Sequence, residues 1–330
     1  MSDLQLLSIG DASLDVFVTP TESETFCQLD DKDCLLCFDY GDKIPVKNLE
    51  FSVGGNAANN AVGTKRLGIN STAILTLGDD ETGDQIANKL IKEGVDTTYI
   101  FRQKNTASNY STAITVYGER TIFTYKVPKT YQLPDIFPKT PWIYLTSMGD
   151  DFEKVFERVV DWVSQNPEIK LAYNPGSRQL RAGVEKSLEV LKVAYIVYVN
   201  RKEAEMFTGF KETLGKEKEL LQGLCKLGPK VPIVTDGVNG SFVYDGNKFY
   251  QAKVLPVDSY ERTGAGDSFG SGCVSALIKG KSLPEALLWG TVNSASVIGY
   301  AGAQRGLLNE DKIKEWLERA KSCKVKVEEF

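Results

Sequence analysis

Residues 142–164, WIYLTSMGDDFEKVFERVVDWVS, read as a short apolar strand, Trp142–Leu145, followed by a helix, Phe152–Ser164. The same order returns downstream. Leu171–Tyr173 is a strand and Val184–Leu191 a helix; Ile196–Val199 is a strand and Lys202–Phe207 begins a helix; Ile233–Thr235 is the next strand. Repeated strand–helix order implies a parallel sheet covered by helices on both faces. Upstream, Leu4–Ile9 reads as a buried first strand ending at Gly10-Asp11. Asn56–Leu67 and Asp84–Glu93 read as helices, the second closed by Gly94, with a strand at Thr72–Leu77. A strand-rich portion interrupts this pattern. Asp15–Val18 stays extended until Pro20, Cys34–Tyr40 and Phe51–Val53 are short strands, and Tyr110–Tyr117 pairs with Thr121–Val127 across Gly118-Glu119-Arg120. The expected fold is a doubly wound, mostly parallel α/β domain spanning residues 1–330. A small discontinuous β-lid is expected from about 15–53 and 110–127.

Composition narrows the chemistry. The 330 residues are 42% hydrophobic and 25% charged, ordinary for a globular protein. A net charge of -5 argues against nucleic-acid binding, which needs a positive face. No apolar run approaches the roughly 20 residues of a membrane span, and no signal sequence is evident, so a cytoplasmic location is expected. The chain has no histidine, which excludes imidazole bases, Ser-His-Asp systems and His metal ligands together. Cys27, Cys34 and Cys37 form a cluster with one C-x-x-C. It reads either as reduced thiols on a strand or as a metal or redox site lacking a His ligand.

The segment Thr263-Gly264-Ala265-Gly266-Asp267 opens a helix expected to run from Asp267 to about Lys279. Glycines let backbone approach a ligand, and the unpaired first N–H groups of a helix favour an anion. A carboxylate beside such a pocket repels phosphate, but it suits a base that takes a proton from a hydroxyl attacking phosphate. The plainer reading of Asp267 is a favourable charge at a helix N-terminus. A P-loop and a GxGxxG fingerprint both fail on spacing, because Ser275 and Phe269 stand where glycine is required. Gly54-Gly55-Asn56-Ala57-Ala58-Asn59 offers close approach with amide donors and acceptors, which suits a polyhydroxylated neutral ligand. Asp11 and Asp15 follow the first strand, as ligands or simply as its terminators.

Together these segments, with Asn200-Arg-Lys-Glu203 and Thr235-Asp-Gly237-Val-Asn-Gly240 in the same order, resemble the ribokinase-like, or PfkB, family of carbohydrate kinases. The resemblance covers nearly the whole chain. It implies that Asp15, and with less weight Asp11, binds a sugar hydroxyl, that Asn59 also binds substrate, and that Gly54 and Gly55 lie against it. The strand Tyr110–Ala113, including Ser111, would close over it. Asn200 and Glu203 would organise Mg2+ through water. Thr235, Gly237 and Gly240 would form the nucleotide turn, with Thr263 and Arg262 beside the phosphates and Asn293 near the adenine. Gly264, Ala265 and Gly266 would form an anion hole, and Asp267 would be the base.

One departure stands out. The family commonly has Asp-Thr ahead of the Thr-Gly-Ala-Gly-Asp core, where this chain has Glu261-Arg262. That Asp often helps bind a monovalent cation in relatives, so a potassium requirement stays open; Arg262 either takes over part of the cation's electrostatic role or faces solvent. The activity expected is ATP-dependent phosphorylation of a primary hydroxyl of a sugar, by a homodimer joined through the lid. The alternatives are a nucleoside acceptor, its base held by Phe38, Tyr40, Phe51 or Tyr110, and a non-catalytic binding regulator.

Overall fold

The computed structural model describes residues 3–21, 24–27, 34–116 and 119–330, with backbone alone for 24–27, 34, 119 and 120. The chain opens with β1 (Leu6–Ile9), then leaves the main body as β2 (Ser13–Pro20), β3 (Glu24–Cys27), β4 (Cys34–Cys37) and β5 (Val46–Gly54). It returns through α1 (Asn56–Arg66), β6 (Ser71–Gly78), α2 (Glu81–Lys92) and β7 (Ile100–Gln103), and leaves again as β8 (Tyr110–Val116) and β9 (Glu119–Tyr125). Strand–helix alternation follows: β10 (Trp142–Leu145), α3 (Phe152–Gln165), β11 (Lys170–Tyr173), α4 (Ser177–Arg181), α5 (Leu188–Val193), β12 (Ala194–Asn200), α6 (Arg201–Thr208), α7 (Glu217–Lys226) and β13 (Val231–Thr235). The last part comprises β14 (Ser241–Tyr244), β15 (Phe249–Ala252), α8 (Ala265–Ile278), α9 (Leu283–Val297), α10 (Glu310–Ser322) and β16 (Val327–Glu329).

Among the described residues the main sheet has ten strands in the order β16-β15-β14-β13-β12-β11-β10-β1-β6-β7. Pairing is parallel from β7 to β13 and antiparallel from β13 to β16. Successive residues of a strand point to opposite faces, so a buried strand serves two cores. Ile143 and Leu145 of β10 pack with Phe152, Val155 and Val159 of α3. Trp142 and Tyr144 face the other way, against Phe269, Cys273 and Val274 of α8 and Leu287 of α9. Helix α8 is buried on most sides, and small residues admit its neighbours. A Cβ on Gly272 would stand 2.8 Å from Trp289 O, and one on Gly63 of α1 would stand 2.5 Å from Ser271 Oγ. None of the helices is long and apolar enough to cross a membrane, among the described residues.

The second sheet has four strands in the order β5-β2-β8-β9. Asp15 sits opposite Ser52 and Ser111, whereas Val16 sits opposite Phe51 and Thr112, so the two sets occupy opposite faces. Several expectations need correction. The strand expected at Phe51–Val53 starts at Val46, because β5 pairs along the whole of β2. Cys34–Tyr40 is a strand only to Cys37, where it pairs with β3, and Cys27 lies opposite Cys34. Cys37 is a free thiol, and among the described residues no cluster of Cys, Asp or Glu is arranged to hold a metal. The side chains of Cys27 and Cys34 and the turn at 117–118 lie outside the described residues. The helix expected at Val184–Leu191 is a 3-10 turn, Val184–Lys186, and then α5. Ser187 breaks it, its hydroxyl hydrogen-bonded to Tyr173 Oη at 2.8 Å.

Candidate active site

Helix α8 begins two residues earlier than the sequence suggests. Gly264 is its N-cap with φ 75°, a left-handed conformation that favours glycine, and a Cβ there would stand 2.5 Å from Ala303 Cα. Asp267 is therefore the third residue of the helix. Of the expected anion-hole amides, Ala265 donates back to Arg262 O at 3.3 Å, while no described residue accepts from the Gly264, Gly266 or Asp267 amide. The Gly266 and Asp267 N–H groups, inside the first turn, lie on the positive end of the helix dipole and are left with Gly264 N–H for an anion. Asp267 itself receives Asn59 Nδ2 on Oδ2 at 2.8 Å. Shielding from water pushes its carboxyl up to about 6, assisted by Asp15 and opposed by the Asn59 donor.

The acceptor side is built on the small sheet. Asp15 Oδ1 accepts from Ser13 Oγ at 2.9 Å and from Ser111 Oγ at 2.6 Å. Burial raises the Asp15 carboxyl, those hydroxyls lower it, and Glu261 raises it further. Gly54 is glycine because any Cβ would collide with Asp15 Oδ2. Gly55, with φ 88°, answers a different demand: its Cβ would stand 2.5 Å from Ala12 Cα, so its smallness serves backbone packing rather than a ligand. Asp11 is buried and accepts from Tyr131 Oη at 2.9 Å. Asn59, expected to hold substrate, spends its amide on Asp267 and on Gln304, whose Nε2 donates to Asn59 Oδ1 at 3.0 Å.

Two adjoining clefts meet at Ala265–Gly266. One, of about 320 Å³, is lined by Asn56, Lys126, Asn174, Asn200, Glu203, Thr235, Arg262 and Asp267. The other, of about 350 Å³, is mostly apolar, with Val254, Leu255, Val257, Phe269, Ala295 and Ile298 beside Thr235, Gly237 and Gly240. Asn200 and Glu203 form a capping box on α6: Glu203 N donates to Asn200 Oδ1 at 3.0 Å and Asn200 N to Glu203 Oε2 at 2.8 Å. Burial raises the Glu203 carboxyl, and Asp267 across the cleft raises it further. Arg262 lines both clefts. Two expected nucleotide contacts are displaced. Asn293 is buried away from the cleft, donating to Ser268 O at 2.7 Å and accepting from Leu308 N at 3.0 Å, while its neighbours Thr291 and Ser294 line the wall. Thr263 Oγ1 is buried without a partner among the described residues and lines neither cleft.

A family model described as pfkB family carbohydrate kinase matches residues 22–310. The chain belongs to that family. This kinase is 26% identical over 300 residues to ribokinase of Haemophilus influenzae, covering 85% of the chain and 92% of that protein. It is also 26% identical over 273 residues to a nucleoside kinase of Methanocaldococcus jannaschii, covering 81% and 85%. Its fold matches Arabidopsis thaliana ribokinase solved with ribose and ATP, with a TM-score of 0.79, 21% identity, and coverage of 96% and 99%. The chain is thus an ATP-dependent kinase of the pfkB carbohydrate kinase family. Sequence reasoning missed Lys126, Asn174 and Gln304. Asn174 had a signal, being the polar residue directly after a buried strand, where open α/β sheets place their ligands. Lys126 and Gln304 lie in irregular segments with no local pattern to mark them.

Proposed function

We propose that this kinase transfers the γ-phosphoryl group of ATP to a primary hydroxyl of a neutral sugar held between Asp15 and Asp267. One observation carries the reading: a carboxylate raised to about 6 stands at a helix N-terminus with two free amides, near enough to Asp15 for that charge to help raise it. Asp267 takes the hydroxyl proton as that oxygen bonds to phosphorus, the bond to the ADP oxygen breaks, and ADP leaves. The Gly266 and Asp267 amides donate to charge on the transferred group. Arg262, between the two clefts, adds a positive charge beside the phosphates. The apolar cleft takes the adenine, with Thr235, Gly237 and Gly240 forming its rim.

Mg2+ fits this donor set as an ion held mainly by phosphates and water. Glu203 and Asn200 line the phosphate cleft, and Asp267 raises the cost of ionising Glu203 there, which a divalent cation would relieve. When bound, Mg2+ neutralises charge on the β- and γ-phosphates. Phe51 and Tyr110 lie on the face of the small sheet opposite Asp15 and Ser111, and Tyr40 stands fully exposed. That arrangement favours a sugar over a nucleoside. The small sheet acts as a lid that keeps water from competing with the acceptor. On the face opposite Asp15, Leu49 and Phe51 are exposed on one edge strand and Phe123 and Tyr125 on the other, and these apolar edges join two lids in a homodimer.

ADP release from Mg-ATP against a panel of neutral sugars, sugar acids, sugar phosphates and nucleosides tests the acceptor. Release with neutral sugars is expected; release with nucleosides alone overturns the sugar assignment. Asp267→Asn should lower turnover by about 10²–10⁴-fold with ATP binding retained, and near-normal turnover would remove Asp267 as the base.

A further inference from the structure

A chain of polar contacts reaches Asp267 from behind the cleft. Arg66, the last residue of α1, is gripped by Glu93 through Nε–Oε2 and Nη2–Oε1 contacts of 2.8 Å each. Its Nη1 donates to the main-chain oxygens of Gln304 at 2.7 Å and Leu307 at 3.1 Å, fixing the loop after α9. Gln304, 1% exposed, donates to Asn59 Oδ1, and Asn59 donates to Asp267 Oδ2. Residues 245 apart in sequence are thus joined side chain to side chain behind the proposed base.

A primary amide has a donor end and an acceptor end, and a half-turn exchanges them. Turned over, Asn59 would aim its oxygen at the Asp267 carboxylate and its NH2 at the NH2 of Gln304, and both contacts would be repulsive. A donor on Asn59 Oδ1 also polarises the amide and strengthens the N–H that Asn59 offers onward. We propose that Gln304 is a positioning residue for phosphoryl transfer: acting through Asn59, it keeps an amide donor on Asp267 Oδ2 and holds the base in its proton-accepting form. This rests on the reading of Asp267 as the base. Burial and Asp15 of β2 both oppose ionisation of Asp267. Glu203 of α6 and the Tyr144 hydroxyl of β10 lie in its field, and Lys126 and Arg262 line the same cleft. Among the described residues only Asn59 donates a side-chain hydrogen bond to it.

The test is a pH titration of the Asp267 carboxyl by 13C NMR on the full chain without ligands, the resonance assigned by its loss in Asp267→Asn. Gln304→Met is close to isosteric, and because Gln304 Oε1 has no partner among the described residues it removes only the donor. The wild-type inflection near pH 6 should rise by about one unit in Gln304→Met and in Asn59→Leu. The double variant should go no further than Asn59→Leu, since the two act in series. Arg66→Lys, which loosens the loop without touching the relay, should shift the inflection the same way by less. An inflection unmoved in Gln304→Met overturns the proposal, whether or not Asn59→Leu moves it, and so does full additivity in the double variant. This result is separable from the transfer reading: if Asp267→Asn still phosphorylates an acceptor, the base assignment falls while the titration coupling stands.

Discussion

A carboxylate placed beside a phosphate site repels the anion it must serve, and the residues around Asp267 moderate this conflict. Shielding lifts its titration towards neutrality, so proton transfer from an alcohol is better matched than it would be to an ordinary aspartate. The sign for activity follows directly: the ionised form is the base, so turnover should fall tenfold per unit as pH drops below about 6, read as the acid limb of kcat. The sign for stability is opposite. Because the folded carboxyl titrates above its ordinary range, folding binds protons in between, and the stability this contributes is lost as pH rises through about 6. Asp267→Asn should therefore melt about 2 °C or more above the wild type at pH 8 in a thermal scan, the usual mark of a strained functional group removed. On the acceptor side, Gly54→Ala should displace Asp15 and raise the acceptor KM at least about tenfold, at similar ATP KM, in initial-rate assays. Glycines and Asp267 were legible from spacing. The Asn59–Asp267 contact was not, since the partners are 208 residues apart and no local pattern announces such a pairing.

At the level of elements, α6 and the turn after β13 are bolted together behind the nucleotide cleft. Arg201 reaches Asp236 Oδ2 at 2.9 Å and Glu217 Oε1 at 2.7 Å through Nη2, and Thr213 O at 2.6 Å through Nη1. It directly follows Asn200 and meets the residue between Thr235 and Gly237, so it sets the capping box and the nucleotide turn against each other. Asp236→Asn should raise the ATP KM about tenfold with kcat within twofold, measured by varying ATP at saturating acceptor. The strand–helix alternation from Trp142 to Thr235 was readable because buried parallel strands are short apolar runs and α3 carries long amphipathic spacing, whereas the short α4 and α5 offer little of it. The antiparallel extension through β15 and β16 was not. Those strands hold four and three residues, too few for periodicity, and their place depends on the edge that β14 presents. The small sheet was visible as a strand-rich interruption, although its four-strand order comes from β2 pairing with two segments far apart in the chain.

Considered as a whole, the molecule exposes aromatic side chains on both edge strands of the small sheet. Phe51 and Phe123, each 61% exposed, and Tyr125, 59% exposed, share the outer face of the small sheet. Phe51→Asp with Phe123→Asp should convert the proposed dimer to monomer in analytical ultracentrifugation; a wild type that sediments as a monomer would refute that assembly. The order of the main sheet has a further consequence. From β10 to β16 each new strand joins the edge left by the one before, so this side of the sheet is laid down outward in the direction of translation. Ser111, which completes the Asp15 side of the site, emerges 156 residues ahead of Asp267. At ribosomal rates the nascent chain spends roughly 8 to 30 s with its acceptor wall made and no base to use it. During that interval an unpaired strand edge, rather than an idle catalyst, is the hazard for a chaperone to cover.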